Sequence, residues 1–237
     1  MLLPDHYTRQ ARLFPALLVM LPIGFAIVAW FPEKFLGWGL LLGVATSCGL
    51  TALFAQIGRD LGKRKEPKLY AKWGGKPTTQ LLRHTSTYID QHTKARYKEK
   101  LKSLIANISF PTADEEKNAP DAADEVYVSC TKYLLEKTRD QKQFDLLYKE
   151  NVNYGFRRNL WGMKPAGLLL ALIGFAAASA PIVLAQDIVI LPVAITATAL
   201  NAMLLIWWLF RITPNWVRIA GFAYAERLLA ACELLSA

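Results

Sequence analysis

Gly58–Lys76, GRDLGKRKEPKLYAKWGGK, is the stretch on which the reading of this chain turns. It begins where an apolar run ends, and it carries Arg59, Lys63, Arg64, Lys65, Lys68, Lys72 and Lys76. Basic residues beside a membrane span are retained on the cytoplasmic side, so this stretch orients everything around it.

Outward from it, the 53% apolar and 20% charged residues fall into separate territories. Two apolar blocks, 13–57 and 165–210, are parted by a long polar segment. That layout belongs to a polytopic membrane protein with an intracellular insert rather than to a soluble globule. The net charge of +9 follows from the positive-inside bias and calls for no nucleic-acid partner. Cys48, Cys130 and Cys232 are spaced neither as a disulfide framework nor as a zinc site.

The first block reads as a hairpin. Leu13–Phe31 is too long for the apolar core of a signal peptide and lacks a clear cleavage site, so it is an uncleaved span, with Pro22 near its middle. Pro32–Lys34 is a minimal turn and Phe35–Ile57 the second span, with Trp30 and Trp38 at the outer interface. Gly39, Gly43 and Ser47 recur every four residues and form a line of small side chains. It serves packing against span one or, alternatively, a dimer seam. The second block repeats the plan, with spans Pro165–Ala185 and Ile188–Phe210 joined at Gln186-Asp187. With this arrangement 27 of the 28 Lys and Arg residues fall inside and only Lys34 outside, which places both termini in the cytoplasm.

The expected fold is therefore an all-α membrane protein. Its four transmembrane helices form two tight hairpins flanking a helical cytosolic insert, 58–164, after a cytosolic N-terminus, 1–12, and before a cytosolic helix, 211–237. Within the insert, Pro67–Trp73 reads as a short helix stopped by Gly74-Gly75, and Pro77 opens another. Thr87–Ala106 is a helix with Lys94, Lys98 and Lys102 along one flank. Ser109–Asp124 is a loop by composition, and a helix restarts near Ala122. Lys137–Gln143 is a break, after which Phe144, Leu147, Tyr148, Asn151 and Tyr154 continue an apolar stripe. Thr213-Pro214 caps the last helix, which lies on the inner leaflet or, the preferred reading, packs on the insert. The insert divides by charge: residues 59–102 are net +9 and residues 103–151 net −4.

Candidate chemistry is sparse. Gly74–Thr79, GGKPTT, departs from a phosphate loop, with Tyr70 at the first glycine position and a proline after the lysine. His6, His84 and His92 form no metal motif and read as solvated or locally bonded. Glu115 and Glu116 fall in the acidic loop, where a catalytic carboxylate would lack pre-organisation. No nucleophile motif appears, so neither an enzyme nor a cofactor is expected. No Asp, Glu, Lys or Arg lies deep in the spans, which argues against ion-coupled transport. Thr51, Thr198 and Asn201 are polar there. They bond across helices or, alternatively, line a wet seam in an assembly.

Contact with anionic lipid or ligand is expected of the seven cations of the opening stretch, of Lys94, Lys98 and Lys102, and of Arg157 and Arg158 before the third span. By layout alone the chain is similar to bacterial membrane proteins whose two helical hairpins flank a cytosolic sensing insert, a plan shared by several pore-forming effectors of defence systems. Two functions follow as expectations. One is a non-enzymatic inner-membrane protein whose insert senses a partner or anionic ligand and controls association of the hairpins into an oligomer. The other is an anchor or adaptor for a soluble protein.

Overall fold

A computed structural model describes residues 5–32, 38–184 and 190–236, with side chains for 5–32, 51–184 and 190–236. Among the described residues the chain is helical, without strands. A π-helical turn, Thr8–Leu13, leads into α1 (Phe14–Trp30). Then follow α2 (Trp38–Trp73), α3 (Pro77–Leu82), α4 (Gln91–Leu104), α5 (Ala113–Asn118), α6 (Pro120–Lys137), α7 (Asp145–Gly162), α8 (Lys164–Leu184), α9 (Ile190–Phe210) and α10 (Pro214–Ala230). A 3-10 turn, Ala231–Leu234, closes the chain. Two compact units result: unit 1 is Met1–Glu66 with Gly155–Val217, and unit 2 is Pro67–Tyr154 with Arg218–Ala237.

Three helices of unit 1 are long and apolar enough to cross a membrane: Thr8–Trp30, Lys164–Leu184 and Ile190–Phe210. They match the expected first, third and fourth spans. The second expected span, Phe35–Ile57, lies partly outside the described residues, as do the surroundings of Gly39, Gly43 and Ser47.

The three spans pack on one another through small residues. Gly167, Ala171, Gly174, Ala178 and Pro181 of α8 are buried at alternating spacings of four and three. Ala16, Val19, Pro22, Ala26 and Ala29 of α1 face them, with Ala194, Ala197, Asn201 and Trp208 of α9. Large apolar side chains point outward instead, including Leu169, Leu172, Ile195, Met203, Ile206 and Phe210. In hydrocarbon no hydrophobic effect draws helices together, so contact rests on van der Waals packing, which small side chains bring to backbone distance. A Cβ on Gly174 would stand 2.6 Å from Pro22 O, and one on Gly167 2.5 Å from the Trp208 ring.

The same device recurs where α2 meets α7. Gly58 and Gly62 form the spacing GxxxG inside the basic stretch. Gly58 receives Met163, Gly62 receives Asn159, and Gly162 lies against the Gly62 backbone.

Prolines leave carbonyls without their amide donor four residues later, and at two of them another helix supplies a donor. Pro181 cannot donate to Ala177 O, and Trp30 Nε1 donates to it at 2.9 Å. Pro15 cannot donate to Ala11 O, and Asn159 Nδ2 does so at 2.7 Å. Lys164 Nζ caps the end of α9, donating to Leu209 O and Ile212 O at 3.0 and 2.8 Å.

Unit 2 has an ordinary apolar core of Leu81, Leu82, Tyr97, Leu101, Tyr127, Cys130, Leu134, Phe144 and Leu147. Phe222, Ala225, Leu228, Leu229 and Cys232 belong to the same core, so the last helix packs on the insert.

Three local expectations are corrected. No new helix starts at Pro67; α2 runs through it to Trp73. Pro67 and Lys63 are both exposed, so the carbonyl left bare by the ring opens to water instead of breaking the helix. The acidic Ser109–Asp124 segment is not a loop throughout. Thr112 and Glu115 form a reciprocal capping box for α5, and Pro120 opens α6. The helix placed at Thr87 begins at Gln91, where the Asp90 side chain accepts from the Thr93 amide.

Two predictions follow from unit 1. Gly162→Ala drives a methyl into the Gly62 backbone and lowers stability by about 1–3 kcal/mol, whereas Gly24→Ala, with open space at its Cβ, leaves the thermal midpoint in detergent unchanged or raised. Trp30→Phe keeps the ring and removes the donor, orphaning Ala177 O at a cost of about 1–3 kcal/mol, read as a lower midpoint in the same assay.

Candidate functional site

In unit 1, the exposed residues of α2 change character along its length. Leu53 and Ile57 are exposed apolar residues, and Arg59, Lys63 and Arg64 follow, all exposed. No ion pair involves these three among the described residues. At the helical rise of 1.5 Å per residue, Arg64 stands about 10 Å beyond Ile57. The other expected cations of this unit are already engaged. Lys65 Nζ donates to Gly162 O at 2.7 Å and lies over the Trp161 ring. Arg157 donates to Trp216 O at 3.0 Å and stacks on that indole. Arg158 is buried, paired with Glu66 at 3.1 Å and bonded to Asn159 Oδ1. Each of these three thus has partners within its own unit.

In unit 2, Lys68, Lys72, Lys76 and Lys102 are exposed. Lys94 is not available: it is 2% exposed, and its Nζ donates to Arg83 O and Ser86 O at 2.9 and 2.6 Å, tying down the turn after α3. Lys98 is half-buried over the Phe110 and Tyr127 rings. Burial holds both ammonium groups below the usual lysine range, and the Glu116 carboxylate opposes that shift.

Glu116 is the organising group of this cluster, and its placement in a floppy loop is corrected. The side chain is buried; it accepts from Tyr127 Oη at 2.6 Å and from the His84 amide at 3.0 Å. Burial and this carboxylate raise the Tyr127 hydroxyl above the usual phenol range. His84 Nε2 lies 2.9 Å from Pro111 O and 3.1 Å from Lys98 Nζ, a locally bonded imidazole as expected. Arg83 pairs with Asp124 at 2.5 Å and reaches Gly74 O at 2.9 Å, which fixes the glycine turn once compared with a phosphate loop. Every polar group named here finds its partner within the unit, so the cluster holds four helices together and leaves little for a ligand. Among the described residues no group of His, Cys, Asp and Glu forms a metal site.

The spans hold the remaining candidates. Thr51 is buried and its hydroxyl meets Met20 Sδ at 3.7 Å. Asn201 is fully buried, yet neither its Oδ1 nor its Nδ2 has a hydrogen-bond partner, and Thr198 Oγ1 and Trp208 Nε1 have none either. The cross-helix bond expected of Asn201 is absent within the described residues, and three polar side chains of α9 stand unmatched.

The chain matches no family model, no curated protein and no solved structure.

The cysteines of unit 2 give a pH prediction. Burial pushes the Cys130 thiol up to about 11 and the Cys232 thiol up to about 12. Both folded values are raised, so the stability they contribute is full below the ordinary thiol range and is lost as pH climbs through 11 and 12. Alkylation followed by mass spectrometry should leave both unlabelled at pH 8, with labelling appearing only as the unit opens. A Cys130→Ala variant should lose less stability on the alkaline side than the parent.

Proposed function

We propose that this chain is a non-enzymatic inner-membrane protein of bacterial type, with four spans and both termini in the cytoplasm. Unit 2 is its cytosolic sensing part, and the binding of a protein partner or an anionic ligand there controls how the spans associate, in the extreme case opening the membrane. One observation carries the reading: along α2 the exposed apolar Leu53 and Ile57 are followed within about three turns by Arg59, Lys63 and Arg64, exposed and without an ion pair among the described residues. An exposed apolar segment followed about 10 Å on by exposed cations suits the inner leaflet of an anionic membrane, where each cation contributes about 1 kcal/mol. The engagement of Glu116 by Tyr127 and His84 agrees with a non-catalytic unit.

A second reading has its own support. The small-residue seams of α1 and α8 are already used within one protomer, as an anchor for a soluble partner requires. In that case the spans serve only as attachment.

Two measurements in bacterial cells test the reading. Reporter fusions after residue 110 and at residue 237 should be cytoplasmic, and one in the 32–34 turn outside; a periplasmic signal from residue 110 overturns the topology. Induced expression should depolarise the membrane if the spans associate into an opening, whereas unchanged potential leaves the anchor reading standing.

A further inference from the structure

Polar groups inside unit 1 are for the most part matched. Trp30 answers Ala177 O, Asn159 answers Ala11 O, Lys164 answers Leu209 O and Ile212 O, and the Ser179 and Thr196 hydroxyls bond carbonyls of their own helices. Against this background, and apart from Arg12 Nε near the start of the chain, the unmatched buried atoms of unit 1 gather on α9 among the described residues. Thr198 Oγ1, both amide atoms of Asn201 and Trp208 Nε1 are buried without partners, and by helical periodicity they share one side of the helix. An unmatched buried amide is costly, and more so in hydrocarbon, where water does not compete to solvate it.

The chemistry of the unmatched group points to its partner. A cation would satisfy only Oδ1 and an anion only Nδ2. Another carboxamide satisfies both at once, each Nδ2 donating to the other's Oδ1. Such reciprocity is what a two-fold interface between identical chains supplies. Ala194, Ala197 and Thr198 on the same helix are small enough for two α9 backbones to come close. The outward residues Ile195, Met203, Ile206 and Phe210 offer lipid-facing bulk and no polar group.

We propose that α9 has a second packing in which its seam faces a second copy of this chain, with Asn201 bonded to Asn201 across the two-fold axis. The packing around α1 and α8 is then the unassociated state, and its unmatched amide is what favours exchange. This inference rests on the reading that the spans associate, and it names the partner and the residue through which they do so.

The test uses the full chain in vesicles, fluorescently labelled and scored for dimers by energy transfer, with thermal midpoints measured on dilute protein in detergent. The wild type should dimerise. Asn201→Leu, similar in size and apolar, should weaken the dimer about tenfold while the midpoint of the monomer holds or rises. With the native cysteines replaced, Ala194→Cys should form a symmetric disulfide between copies, and adding Asn201→Leu should abolish it. If the wild type dimerises and Asn201→Leu dimerises equally well, the Asn201 pairing is wrong and association proceeds through another face. If Asn201→Leu lowers the monomer's midpoint and leaves the dimer unchanged, the amide is satisfied within one protomer, for instance by water, and the proposal falls. A wild type that stays monomeric removes the association reading itself.

Discussion

Unit 1 is keyed by two places where a backbone carbonyl freed by proline meets a donor from another helix. Pro181 and Pro15 each cost their helix one internal bond, and Trp30 and Asn159 restore it from α1 and α7. A hydrogen bond of this kind requires the helices to lie close and in one register. The glycines and alanines of the seams permit that closeness, and the prolines make the register specific. Packing alone would let small-residue helices slide, since one alanine contact much resembles the next. A carbonyl with a single donor in reach does not slide.

Unit 2 is built on the opposite principle. Its helices bury Leu101, Tyr127, Leu134 and Leu228 in the manner of any water-soluble domain. Its polar interior, centred on Glu116, contributes alignment more than adhesion. A buried carboxylate is tolerable only where its oxygens are met, and Tyr127 from α6 and the His84 amide after α3 meet them. The charge division of the insert has a structural meaning here: Lys94 and Lys98 of the basic half lie near Glu116 of the acidic half.

Much of this was legible in the sequence. The apolar runs disclosed α1, α8 and α9, because lipid-facing helices are apolar on all sides and need no periodicity to be recognised. Thr213 as a cap, the Gly74-Gly75 stop and the break before Phe144 were equally plain. Pro67 misled because a proline's effect depends on which face it occupies, and a single sequence does not reveal the exposed face of a helix in advance. The acidic segment misled because composition outweighed a local signal, Thr112 followed by Glu115 three residues on. Among the cations, counting could not separate Arg59, Lys63 and Arg64, which stand free, from Lys65, Arg157 and Arg158, whose partners lie far along the chain. Gly58 and Gly62 were overlooked for a related reason: a GxxxG pair is usually sought in apolar surroundings, and this one lies among charges.

The two repaired carbonyls also have an order in time. A chain emerges from its N-terminus, so Trp30 exists well before Ala177, 147 residues later, and the carbonyl freed by Pro181 meets a donor already in place. Ala11 is in the reverse position, because its donor Asn159 is synthesised 148 residues after it. The bond that ties the start of α1 to α7 therefore forms only once both ends of this long stretch have been made.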